Sequence, residues 1–332
     1  MGAYLGRALN NRRKLVIALG ASVLAVPLRS YAQPKIPTIG YLAVDSAKPS
    51  PLLRVLLGAL GEKGYVVDRN LRIDDRTVTE YRGLAEHAAS LVQAKADIIV
   101  TFGSTATLAA SKVTKEIPIV MIAGIDPVTA GLAVSLSHPG GNVSGVVLFA
   151  TELQRKRVQL LKELVPNMKR MGVISNPAAG DNALRLKETE AAARLLRLEM
   201  RVVEVPELVE LDEAFATLAR ARVEGVVVLP NLVFNSNLAR VAEIAARRRL
   251  PAVNNILEYV EVGGLISYGV DFHGAVVKAA THIDRILKGA KPGNLPIEQP
   301  TKFELAVNMK TAKALGLKIP NSILVQATKV IE

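Results

Sequence analysis

The amino-acid sequence predicts an α/β fold built as two similar parallel-sheet lobes joined by hinge crossovers. Three observations predict it. From residue 36 onward, continuous apolar runs alternate with segments of helical period, the pattern of strands buried on both faces and joined by right-handed βαβ connections. The pattern restarts near residue 168 in the same order. Turn-rich stretches at 138–149 and 263–275 stand where the chain passes between the halves.

Taken in order, IPTIGYLAV (36–44) reads as a strand before a helix near 50–63. NLRIDDR (70–76) precedes a helix near 81–94, ADIIVTF (96–102) precedes one from Ser104 to about Lys115, and IPIVMIA (117–123) closes the first series. The second series opens with MKRMGVISNPAAG (168–180) and a helix near 182–197. MRVVEV (200–205), a helix near 211–221, VEGVVVLPN (223–231), a helix near 236–248 and LPAVNN (250–255) follow. After the second crossover come a helix near 273–288 and, within 300–320, a strand and a short helix ended by Gly316 and Pro320. The expected boundaries are 33–140 with 262–300 for the first lobe and 141–261 for the second. Residues 301–332 then form a strand and helix packing near the hinge.

The first 32 residues read as a cleaved leader. Arg7, Arg12, Arg13 and Lys14 precede an apolar stretch, residues 15–28, too short to span a bilayer; Ser30-Tyr31-Ala32 then fits a small-x-small cleavage site. An uncleaved anchor is the alternative. Removing the leader takes five basic residues and no acid, so the net charge of +12 becomes +7. That remainder is scattered over helix faces, aromatics are only 4% and tryptophan is absent, which excludes the basic, aromatic-interleaved stripe of a nucleic-acid binder. The absence of cysteine excludes disulfides, thiolate metal sites and a cysteine nucleophile.

Catalytic motifs are missing. His87, His138, His273 and His282 form no close ligand cluster, and the chain has neither a GxSxG elbow nor a GxxxxGK[ST] loop. GGNVSG (140–145) does not follow a strand into a helix and reads as a turn; Asp74-Asp75, beside Arg72 and Arg76, read as surface charge. No enzymatic activity, cofactor or metal is expected. What remains is a set of strand ends carrying small polar groups, and open α/β sheets bind ligands outside the carboxyl ends of their strands. In the first lobe these are Asp45-Ser46, Gly103-Ser104-Thr105 and Gly124-Ile125-Asp126-Pro127; in the second, Ser175-Asn176-Pro177, Pro230-Asn231 and Asn254-Asn255. Each alone also serves as a helix cap or a turn. The candidate ligand-binding residues are Asp45, Ser46, Gly103, Ser104, Thr105, Asp126, Asn176, Asn231, Asn255 and Tyr268. Gly103 lets the backbone pass close to a ligand, Ser104 caps the following helix or grips an anionic head, and Thr105 adds a hydroxyl. Asp126 is a candidate for a cationic group or a turn. Whether Tyr41, Phe149, Phe234, Tyr259 and Tyr268 line a cleft or pack in a lobe is open at this point.

IPIVMIAGIDPVTAGLAVSLSHPGGNVSGV (117–146) and RILKGAKPGNLPIEQPTKFELAVNMKTAKALGLKIP (285–320) resemble two distinctive segments of a family of bacterial ABC-transporter substrate-binding proteins. GGLISYG (263–269) and GYVVDRNLRID (64–74) fit as well, with Ser144 where the family usually has Thr. The resemblance implies a type I periplasmic-binding-protein-like fold and an extracytoplasmic, periplasmic receptor. Such a receptor captures a small organic solute between its lobes and delivers it to a membrane permease. An amino acid or aromatic carboxylate is among the candidate solutes, since characterised relatives include receptors for aromatic amino acids. A monomer with no nucleic-acid partner is expected. A secreted sensor partnering a receptor kinase is the alternative; the leader and the lack of a helix-turn-helix disfavour a cytoplasmic regulator.

Overall fold

The apolar runs of the first half become five parallel strands in the computed structural model, which describes residues 35–45, 49–148, 151–300 and 302–332. They are β1 (Thr38–Val44), β2 (Arg72–Val78), β3 (Ile98–Phe102), β4 (Ile119–Ala123) and β5 (Val143–Val147), side by side in the order β2-β1-β3-β4-β5. Alternate side chains serve opposite faces. Ile39, Tyr41, Ile98, Val100, Val120 and Ile122 pack under α1 (Pro51–Gly61) and the helix Phe272–Leu287. Leu42, Ile99 and Met121 pack under α2 (Leu84–Gln93) and α3 (Ser104–Val113). Central strands β3 and β4 are buried at every position, which is why they read as unbroken apolar runs. The charged run Arg72–Arg76 falls on edge strand β2, where half-exposed positions tolerate it.

The second sheet repeats this design with additions. Its strands are β6 (Arg170–Ser175), β7 (Glu199–Glu204), β8 (Gly225–Val228), β9 (Ala252–Asn254), β10 (Ile266–Val270), β11 (Phe303–Asn308) and β12 (Lys329–Ile331). Their order is β12-β11-β10-β9-β8-β6-β7, parallel except for the antiparallel pair β10–β11. One face carries α4 (Thr151–Leu164) and α5 (Asn182–Leu195). The other carries α6 (Leu211–Arg220) and, beyond the short α7 (Leu232–Asn235), α8 (Leu238–Arg247) and α9 (Glu258–Glu261). The helix Phe272–Leu287, α10, returns to the first sheet; α11 (Met309–Ala314) and α12 (Asn321–Gln326) finish the second lobe. Residues Pro37–Glu332 are one compact unit.

Sheet membership corrects the expected boundaries. β5, expected beyond the boundary at 141, is hydrogen-bonded to β4 and completes the first sheet. The segment expected to cross over at 263–275 contains β10, which lies inside the second sheet between β9 and β11. Both are buried or largely buried five-residue strands whose backbone groups are satisfied by pairing with neighbouring strands. Residues 301–332 do not stand apart near a hinge, since β11 and β12 extend the second sheet. The chain therefore crosses between lobes after β5, after β10, and again between α10 and β11. On that last passage Glu298 pairs beside Val146, adding a further edge to the first sheet. Ser144, in the place of the family's Thr, donates to Leu295 O at 2.9 Å and ties the same passage to β5. Residues 151–164, to which sequence patterning assigns no element, form α4. The expected leader, residues 1–32, lies outside the described residues; among those described, no helix is long and apolar enough to cross a membrane.

Candidate functional site between the lobes

The carboxyl ends of both sheets meet at one cleft. At the end of β3, Gly103 adopts φ +98°, and a Cβ there would lie 2.6 Å from Leu232 Cδ1 of the second lobe. Only glycine permits both that backbone angle and that approach. Gly103 occupies the N-cap of α3, so Ser104 is not the cap: its hydroxyl makes no capping bond. Ser104 Oγ instead donates to Asp181 Oδ2 across the cleft at 3.1 Å, and Thr105 Oγ1 donates to Ala178 O at 3.2 Å and accepts from Gly180 N at 2.9 Å. Tyr81 Oη accepts from Leu232 N at 3.1 Å. The two lobes are clasped directly.

Inside this clasp is a cavity of about 590 Å³, counting its open mouth. Its apolar wall includes Phe102, Ile122, Leu148, Leu153, Leu232 and Phe272; its polar wall includes Arg157, Asp181, Arg185, Asn231, Asn235 and Asn255. The rings of Phe102 and Phe272, 6.1 Å apart, also line a second, more apolar compartment of about 900 Å³, likewise counting its open mouth, whose acids are Asp45 and Glu258.

Arg157 dominates the electrostatics of the inner cavity. It sits on α4, only 2% exposed; its Nε donates to Tyr268 O at 2.7 Å, and its Nη1 has no partner. Burial, reinforced by the charge of Arg185, pulls its pKa well below the ordinary guanidinium range, to about 9. It is nonetheless charged at neutral pH. Arg185 is matched within its own helix: its Nη2 and Nε meet Asp181 Oδ2 at 2.6 and 2.8 Å. Gly124, at the end of β4, leaves room for this pair, since a Cβ there would lie 2.1 Å from Arg185 Nη2. The Oδ1 atoms of Asn235 and Asn255, both buried, also lack partners.

The residues expected from strand ends divide into three groups. Gly103, Ser104, Thr105, Asn231 and Asn255 line the inner cavity, and Asp45 lines the outer one. Asn231 spends its side chain locally, accepting from Phe234 N at 3.0 Å as the cap of α7. Asp126 and Asn176 lie on neither wall: Asp126 accepts from Val128 N and Thr129 Oγ1, and Asn176 from Ala178 N, so both hold turns. The Thr129 hydroxyl holds the Asp126 carboxyl below its usual range. Tyr268 packs against Phe303 and presents its carbonyl to Arg157. Ser46 and Phe149 lie outside the described residues. Tyr41, Phe234 and Tyr259 are buried within the lobes; the aromatics at the cavities are Tyr81, Phe102 and Phe272.

Strand-end reasoning misses Arg157 and Arg185 because they come from helices, and Asp181 because it is the residue just before α5, six beyond the end of β6. A signal for Arg157 is present: it falls in the apolar stripe Leu153, Leu160, Leu161 and Leu164 at helical spacing, where a lone guanidinium must be buried. Asp181 and Arg185 stand four apart, the spacing of a helical ion pair.

Known proteins match this chain throughout the described lobes. A tyrosine-binding protein of Clostridioides difficile is 29% identical over 83% of this chain and 78% of its own. The crystal structure of a Streptococcus pneumonia ABC domain in complex with L-Trp superposes with a TM-score of 0.79 at 29% identity, covering 89% of this chain and 99% of that one. A conserved domain protein from Vibrio cholerae gives 0.81 at 27% identity, over 89% and 100%. The two parallel-sheet lobes are those of type I periplasmic binding proteins. The family model for ABC transporter substrate binding protein matches residues 53–331, and this chain belongs to that family.

Proposed function

We propose that this protein captures a small organic carboxylate between its two lobes and delivers it to the membrane permease of an ABC importer. The observation that carries the reading is the buried guanidinium of Arg157, a residue that lines the interlobe cavity and whose Nη1 has no partner. An unmatched buried cation costs several kcal/mol of desolvation, and a ligand carboxylate offsets that cost with a charge-assisted hydrogen bond. The aromatic and aliphatic walls suit the body of such an acid, and tyrosine and L-Trp, for which two relatives are named, each carry a carboxylate. In this reading the leader directs export, the mature chain begins at Gln33 in the periplasm, and the receptor works as a monomer.

A thermal-shift screen of the mature protein against amino acids, aromatic acids and other carboxylates tests the proposal. A ligand at a hundredfold excess over Kd stabilises the native state by about 2.7 kcal/mol. A panel in which no carboxylate raises the melting temperature would overturn it.

A further inference from the structure

Resting on the reading above, the geometry points to a narrower solute class: we infer that the inner cavity selects a hydroxy acid over the zwitterionic amino acid of the same skeleton. Charge matching comes first. The inner wall carries two guanidiniums, Arg157 and Arg185, against a single carboxylate, Asp181. Its charge is matched by Arg185, whose Nη2 and Nε both meet Oδ2, the oxygen that also takes Ser104 Oγ. One positive charge, on Arg157, is left for the solute. A monocarboxylate neutralises it; a zwitterion brings a compensating carboxylate and then a second cation.

The place of that second cation matters. An α-ammonium is one carbon away from its carboxylate, so it must lie in the inner cavity beside Arg157 and Arg185. The acids Asp45 and Glu258 line the outer compartment and are not among the residues of the inner wall. Like charges in a low-dielectric enclosure repel strongly.

Neutral acceptors are nevertheless present. Asn235 Oδ1 and Asn255 Oδ1 are buried on the inner wall without a donor. A buried acceptor left unmade is costly, so the matching ligand supplies a donor. A hydroxyl does this with no added charge. The complete match is therefore a carboxylate for Arg157, a neutral hydroxyl for an asparagine oxygen, and an apolar body against Phe102 and Phe272.

Calorimetry on the mature protein with matched pairs, phenyllactate against phenylalanine and 2-hydroxyisocaproate against leucine, decides between the classes. At least one hydroxy acid is expected to bind tenfold or more tighter than its amino acid, with Asn255→Leu removing most of that acid's advantage over its deoxy analogue. Equal or tighter binding of the amino acid in every pair that binds would overturn the inference and leave the proposed carboxylate receptor standing. If neither class binds while other carboxylates in the thermal screen do, the hydroxy-acid assignment falls alone; if no carboxylate binds, both fall.

Discussion

Ser104 Oγ of the first lobe donates to Asp181 Oδ2 of the second at 3.1 Å, and that oxygen also receives both donating nitrogens of the Arg185 fork. A serine that strand-end reasoning offers as a helix cap or ligand grip is thus a latch between lobes, one residue from the Thr105 hydroxyl that joins Ala178 and Gly180.

Removing the latch should open the cleft without unfolding either lobe. Ser104→Ala with Thr105→Val deletes one bond to a charged group, about 1.5–3 kcal/mol, and neutral bonds of about 0.5–1.5 kcal/mol each. Since Gly103 holds the cap position, the stability of α3 is expected to be little affected. Small-angle scattering should give a larger radius of gyration at saturating solute, and calorimetry an affinity at least tenfold lower. Wild-type values for both in a folded double mutant would refute the latch.

Gly124 offers an independent route to the same outcome. A methyl group there would lie 2.1 Å from Arg185 Nη2 and 2.6 Å from Asp181 Oδ2. Arg185 must swing away, leaving Asp181 without its main partner. Gly124→Ala should therefore weaken solute binding tenfold or more while circular dichroism is unchanged; unaltered affinity would show that the pair relocates freely.

Arg157→Met should separate binding from stability. Replacing an incompletely paired buried charge with an apolar side chain of similar length is often neutral or stabilising by about 1–4 kcal/mol. The melting temperature of the solute-free variant is expected to equal or exceed that of the wild type, and carboxylate binding to be lost. A variant that melts well below the wild type yet binds normally would return Arg157 to a purely structural role.

Affinity should also depend on pH in a defined direction. The folded pKa of Arg157, about 9, lies well below the ordinary guanidinium range of the unfolded chain. Between these values the folded state holds fewer protons than the unfolded one, so this group's contribution to stability rises with pH across that window; below about 9 its burial penalty is fully present. Carboxylate binding requires the charged form, so affinity should be flat below pH 9 and fall above it, approaching tenfold per pH unit. Around Arg157 are the Arg185 guanidinium, whose charge lowers it, and Tyr268, which raises it; burial keeps the Tyr81 hydroxyl protonated above the usual phenol range. An affinity unchanged from pH 8 to pH 10.5 would exclude Arg157 as the anion's partner.

The sequence by itself determined the two α/β lobes and most of their elements. Strands such as Ile98–Phe102 and Gly225–Val228 are buried at every position, and that burial leaves an apolar run visible without coordinates. It also made legible Gly103-Ser104-Thr105 and Asn255, because strand ends converge on one cleft in this topology. Only the tertiary structure decided which sheet the runs Val143–Val147 and Ile266–Val270 join, since either sheet would satisfy their backbone equally well. It also decided the site's chemistry. Arg157 and Arg185 sit on helices, where an arginine in sequence is ordinarily a solvated surface charge, and Asp181 is the N-cap of α5. What places Arg157 at the cavity is the second lobe's core beneath it and the first lobe closing over it, contacts between segments far apart in the chain that no local pattern records.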